Sequence, residues 1–334
     1  MRMGKAGIPV RACALLILIS ACVPASAETA ALEVQAWLDR MARAVETLNF
    51  RGTLVHWSDG QVDTLSIVHR ADETGIRERI YSLDGEPREI IRDGDEVRCL
   101  IRGDQPLVVQ RQLATRLMPN LPINRHGSAR LAYRMSLGGR ERVAGMMAQI
   151  VEVSPRDQYR YGYQFWLEEK TGMLLRSALL DHRGRTLQQL SFVTIELGVP
   201  ISDRELEPVL IDAVESSLQT SLPSGEFAPP RKPAWQPANL PEAFKLVHSG
   251  TGQSEDGGTF DHLVYSDGLA SFSIYVEEGK KGYSGSRLES IGPVHVFTGL
   301  VDGRQITVVG EVPRATVEHI GRSFRRTSGP MRRH

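Results

Sequence analysis

The side chains best equipped for chemistry in this chain are nine histidines, three cysteines and a tyrosine-rich stretch, and their spacing decides what they can do. The histidines are scattered, with no His-Glu-x-x-His and no Cys-x-x-Cys, so the ligand spacing of a metal centre is missing. Gly282-Tyr283-Ser284-Gly285-Ser286 lacks the final glycine of a nucleophile elbow. Gly250-Thr251-Gly252 runs into Gln253-Ser254-Glu255-Asp256, which reads as a polar hairpin tip rather than a phosphate cradle. Catalytic triads are dispersed in sequence, so missing motifs lower the enzyme reading without removing it. The expectation is a binding protein with no catalytic residue, metal or cofactor.

What remains is aromatic and apolar. Tyr159, Tyr161, Tyr163, Phe165 and Leu167 alternate with Arg160, Gln164, Trp166 and Glu168, which places the rings on one face of a strand. Such a stripe lines a cleft for acyl chains or extended peptides, or it fills a sheet core. Between Leu113 and Arg130 the alternation lapses, leaving Leu117, Met118, Leu121 and Ile123 among prolines and polar residues. The segment reads either as a lid or peptide-binding loop or as a short helix docked on a sheet. Leu117, Met118, Leu121, Ile123, Tyr161, Tyr163 and Phe165 are therefore the candidate ligand-binding residues.

The first 27 residues bear on where the protein works. Arg2, Lys5 and Arg11 precede an apolar run from Ala12 to Val23, and Ala25-Ser26-Ala27 supplies a small-x-small cleavage site. The run is too short to span a membrane, so a signal peptide over 1–27 and an exported product are expected. Ile19-Ser20-Ala21-Cys22 resembles a lipobox, and lipidation at Cys22 is the alternative within the same compartment. Cleavage after Ala27 removes three basic residues and no acidic one, turning 40 of each into 37 basic and 40 acidic, a net charge of about −3. No global positive field then draws nucleic acid. Cys99 becomes the lone thiol, unable to form an internal disulfide. Its alternation with Val97 and Ile101 suggests a buried structural cysteine.

These residues must be positioned by a fold. Val34, Trp37, Leu38, Met41, Val45 and Leu48 recur at helical spacing, so a helix is expected over about 30–49. From Phe50 the period becomes two, with turn signals at Asp59-Gly60, Asp84-Gly85 and Asp93-Gly94. Strands are expected near 50–57, 62–70, 76–82, 88–92 and 96–102, then near 130–137, 147–153, 159–168, 173–181 and 185–196. One leading helix over some ten meandering strands suggests an open half-barrel. Six prolines between Pro223 and Pro241, with nearby serines, read as an extended linker over 216–241. Beyond it, strands near 244–248, 259–266, 270–277, 294–300 and 304–311 and a helix opening at Pro313 make a small α+β domain over 242–325. A basic tail follows over 326–334. The whole is mainly β with helices, an α+β chain whose first domain covers 28–215.

Two sets of motifs resemble a known family. The run His262-Leu263-Val264-Tyr265-Ser266-Asp267-Gly268-Leu269-Ala270-Ser271-Phe272-Ser273 and the segment from Asp302-Gly303-Arg304 to Val312-Pro313 are similar to the MucB/RseB family. So are Asn49-Phe50-Arg51-Gly52-Thr53, Arg142-Val143-Ala144-Gly145 and Pro155-Arg156-Asp157-Gln158-Tyr159-Arg160-Tyr161-Gly162-Tyr163-Gln164-Phe165-Trp166-Leu167. The resemblance implies a LolA/LolB-like open half-barrel and a smaller C-terminal domain. It implies a periplasmic negative regulator of the sigma-E envelope-stress response, which binds the periplasmic part of a membrane-spanning anti-sigma factor, shields it from proteolysis and is released by a lipid or lipopolysaccharide signal. Tyr265, Asp267 and Phe272 are the candidate partner-binding residues, self-association stays open, and a lipid or lipoprotein carrier is the alternative function.

Overall fold

The computed structural model describes residues 25–94, 96–101, 131–210, 214–218, 233–253, 257–279 and 285–327. The leading helix α1 (Ala25–Thr47) buries Val34, Leu38, Met41 and Ala44 along one stripe, as their spacing requires. Eleven strands follow: β1 (Phe50–Ser58), β2 (Gln61–Asp72), β3 (Gly75–Ser82), β4 (Arg88–Asp93), β5 (Glu96–Ile101), β6 (Tyr133–Val143), β7 (Met146–Pro155), β8 (Gly162–Glu168), β9 (Leu174–Leu180), β10 (Thr186–Leu197) and β11 (Val214–Leu218). They form one antiparallel sheet in the order β11-β5-β4-β3-β2-β1-β10-β9-β8-β7-β6. Five strands meander outward from the centre, five meander back, and β1 meets β10 from Phe50↔Leu197 to Ser58↔Gln188. Among the described residues neither β6 nor β11 has a second neighbour, so the sheet is open.

The helix packs on β2, β6 and β9. Arg40 donates from Nη2 to the carbonyls of Glu169 (2.6 Å) and Lys170 (2.9 Å) in the β8–β9 turn. Gly172 in that turn is needed twice over: its φ is +81°, and a Cβ there would lie 2.7 Å from the Cβ of Arg40. Toward the other end of α1, buried His69 bridges the Val45 carbonyl and Glu78, each at 3.0 Å, while its ring stacks on Phe50. On the opposite face of β2, a segment containing the short helix α2 (Asp203–Leu206) covers Val68 with Ile201 and Leu206. Glu89 holds that segment through Val209 N and Leu210 N and pairs with buried Arg79.

The second unit contains β12 (Trp235–Pro237), β13 (Lys245–Gln253), β14 (Thr259–Ser266), β15 (Ser271–Glu278), β16 (Arg287–Ile291), β17 (Val294–Val301), β18 (Arg304–Gly310), α3 (Arg314–Ser323) and β19 (Phe324–Arg326). Six strands form a sheet in the order β13-β14-β15-β18-β17-β16, and β12 pairs with β19. Asp302-Gly303, with φ of +47° and +77°, turns β17 into β18. Helix α3 lies on that hairpin with Val317 and Ile320 fully buried, at Gly321, where a Cβ would come 2.1 Å from Phe297.

Four expectations need correction. The strand expected over 159–168 starts at Gly162, leaving Tyr159 to Tyr161 in the connection from β7. The sheet of the first unit continues through β11, inside the stretch read as linker, because serine-rich Val214–Leu218 pairs its backbone with β5. The same stretch holds β12, whose three pairs tie the proline-rich segment to the chain's last strand, so the second unit starts before 242 and runs into the stretch read as tail. The edge strand β16 escaped the reading because Arg287–Ile291 is mostly exposed and does not alternate. The thiol of Cys99, on β5, lies outside the described residues, as does the whole loop carrying Leu117, Met118, Leu121 and Ile123.

Candidate functional site

The two units meet where the connection between β7 and β8 touches the turn between β14 and β15. Buried Arg160 donates from Nε to Asp267 Oδ2 at 2.5 Å, and both side chains are fully closed to solvent. Its two Nη atoms reach Asp157 and the Glu242 carbonyl, and its guanidinium lies 4.5 Å from the Phe244 ring centre. Tyr133 Oη donates to the same Asp267 oxygen at 3.1 Å. The other oxygen of Asp267 accepts Leu269 N and Ala270 N, each at 2.8 Å, which shapes the turn. Burial, then the Asp267 charge, pushes the Tyr133 phenol well above its usual range, so it stays a donor.

Further contacts flank this pair, among them the Tyr159 and His319 rings with centres 4.9 Å apart. Tyr161 Oη donates to the Pro293 carbonyl at 3.1 Å, and burial raises that phenol to about 12. Thr316 Oγ1, near the start of α3, donates to the Tyr159 carbonyl at 2.9 Å. Apolar contact across the seam comes from Ala243 and Leu269, which pack beside the cluster holding Tyr133, Val153 and Phe165.

The structure distributes the expected site residues unevenly. Tyr163 is half-buried, its ring 5.7 Å from that of fully buried Phe165, in the cluster that α1 covers. Tyr161 belongs to the seam. Asp267 is likewise committed to the seam and presents no free carboxylate. Tyr265 and Phe272 stack 5.4 Å apart in the core of the second unit, where burial lifts the Tyr265 phenol to about 12. As placed, neither ring offers a surface to a partner. Arg160, Asp157, Tyr133 and Thr316 were not singled out as site residues. A signal was present: Arg160 is a lone cation inside an aromatic run, where a charge needs a buried partner.

The remaining polar clusters are smaller. His262 stacks on Tyr275 at 4.5 Å, contacts Ser273 at 3.1 Å, and is lowered to about 4, first by burial and then by neighbouring His248. Among the described residues no group of three or more His, Cys, Asp and Glu side chains could hold a metal ion. No described helix is long and apolar enough to cross a membrane.

Both halves of the seam fall within regions matched by family models: the MucB/RseB N-terminal domain over 33–210 and the MucB/RseB C-terminal domain over 229–325. The chain belongs to the MucB/RseB family. It is 31% identical over 324 residues to the sigma factor AlgU regulatory protein MucB of Pseudomonas aeruginosa, covering 95% of this chain and 98% of that one. A crystal structure of MucB in complex with MucA(peri) overlays with a TM-score of 0.71 at 30% identity, covering 89% of this chain and all of that one. A second crystal structure of MucB overlays with a TM-score of 0.63 at 29% identity, covering 89% of this chain and 98% of that one. The Tyr265-Ser266-Asp267-Gly268 turn and the Asp157 to Tyr161 connection, both among the motifs resembling MucB/RseB, are the two segments that the fold brings into contact.

Proposed function

We propose that the mature chain, following a signal peptide over 1–27, is a periplasmic regulatory protein. It binds the periplasmic domain of a membrane-spanning anti-sigma factor, shields that domain from regulated proteolysis and so restrains a sigma-E-type stress response. The observation that supports this most is the overlay of 89% of this chain on MucB in complex with MucA(peri). Such a regulator needs linked equilibria rather than bond chemistry. A lipid or lipopolysaccharide-type signal that prefers the free protein weakens the complex by the same coupling energy, typically about 1–3 kcal/mol.

Purified protein, residues 28–334, mixed with the periplasmic segment of the organism's own anti-sigma factor should slow that segment's cleavage by its protease. Cleavage at an unchanged rate with saturating protein sinks the proposal. For the releasing ligand, Tyr163 is the substitution of choice because it is half-buried while Phe165 is closed. Tyr163→Ala should weaken binding of an acylated probe at a temperature where circular dichroism shows the variant fully folded. Unaltered probe binding would remove the aromatic group from the ligand surface.

A further inference from the structure

The seam combines the Arg160–Asp267 pair and hydrogen bonds with ring contacts of Tyr159 with His319 and of Arg160 with Phe244 and the apolar packing of Ala243 and Leu269. Arg160 sits in the β7–β8 connection and Asp267 in the β14–β15 turn, so parting them breaks no strand pairing in either sheet. Each group also keeps a partner on its own side. Arg160 retains Asp157, and Asp267 retains Leu269 N and Ala270 N. A buried ion pair adds little net stability, because desolvating both charges offsets their attraction, while its short contact fixes one relative orientation as long as it is closed. Inter-domain contacts lacking a large apolar area leave relative motion as the expected behaviour. Two arrangements, one paired and one open, are therefore both chemically satisfied.

We propose that Arg160 and Asp267 form a latch that fixes the orientation of the second unit on the first, and that the anti-sigma segment binds the latched form. The second half rests on the function proposed above. The closed pair occurs in an arrangement that overlays on MucB in complex with MucA(peri) over 89% of this chain with a TM-score of 0.71. The latch sets the fraction of molecules competent to bind, and apparent affinity falls in proportion to that fraction.

The test uses residues 28–334 as wild type, Arg160→Met and Asp267→Asn, the latter keeping an acceptor for Leu269 N and Ala270 N. Small-angle scattering reads the orientation without any partner, circular dichroism checks folding, and calorimetry reads affinity for the anti-sigma segment. The latch predicts that both variants keep their secondary structure, gain maximum dimension in scattering, and bind about tenfold more weakly. Wild-type scattering from both folded variants overturns the latch. Extended variants that bind like wild type overturn its link to the partner. Extended variants beside a wild type that does not bind leave the latch standing and refute the functional reading instead. If Arg160→Met fails to fold, Asp267→Asn alone decides by the same outcomes.

Discussion

Among the described residues two arginines are buried against carboxylates, and they differ in what they hold. Arg79 and Glu89 stand ten residues apart on adjacent strands, and Glu89 also fastens the segment over β2 through two backbone amides. Arg160 and Asp267 stand 107 residues apart on two connections, each with a fallback partner. Separating the first pair requires opening the sheet. Separating the second requires only that two units part. Similar chemistry therefore produces a structural fastening in one place and an adjustable joint in the other.

Removing one partner separates the two cases most sharply. Arg79→Ala leaves the Glu89 carboxylate buried without a countercharge, held only by the Val209 and Leu210 amides, so urea unfolding should show a loss of about 3–5 kcal/mol. A loss below about 1 kcal/mol would mean the interior pair is as dispensable as a surface one. Next comes apolar packing within the second unit: Gly321→Ala drives a methyl group against Phe297, and calorimetry should record about 1–3 kcal/mol of destabilisation. Thr316→Val removes one hydrogen bond from the seam, for about 1 kcal/mol, and should raise amide exchange near Tyr159 rather than deep in either sheet. Uniform protection there would contradict a joint that opens.

A further effect is one of pH. His262 is held at about 4 against an ordinary 6.5, so the unfolded chain takes up its proton first. Its contribution is fully present above pH 6.5 and is lost as pH falls from there toward about 4. His262→Phe should flatten the melting temperature over that window, and an unchanged slope would assign the acid sensitivity to other groups.

The strands were legible because alternation and Asp-Gly turns are local signals. The helix was legible because Val34, Leu38 and Met41 share one stripe. Short or exposed strands were not: Trp235–Pro237 and Arg287–Ile291 depend on pairing partners that no local pattern reveals. Tyr265 and Phe272 read as anchors from residue type alone, whereas burial assigns them to a core. The seam was hidden for a related reason, since the sequence displays Arg160 and Asp267 separately and only tertiary structure makes them a pair.

The central claim is that this chain binds an anti-sigma factor through a defined arrangement of its two units. Calorimetric titration of residues 28–334 into the periplasmic segment of the organism's own anti-sigma factor tests it most directly. The account predicts saturable binding by wild type and binding about tenfold weaker by Asp267→Asn. No heat of binding from folded wild-type protein, with no protection of the segment from its protease, would contradict it.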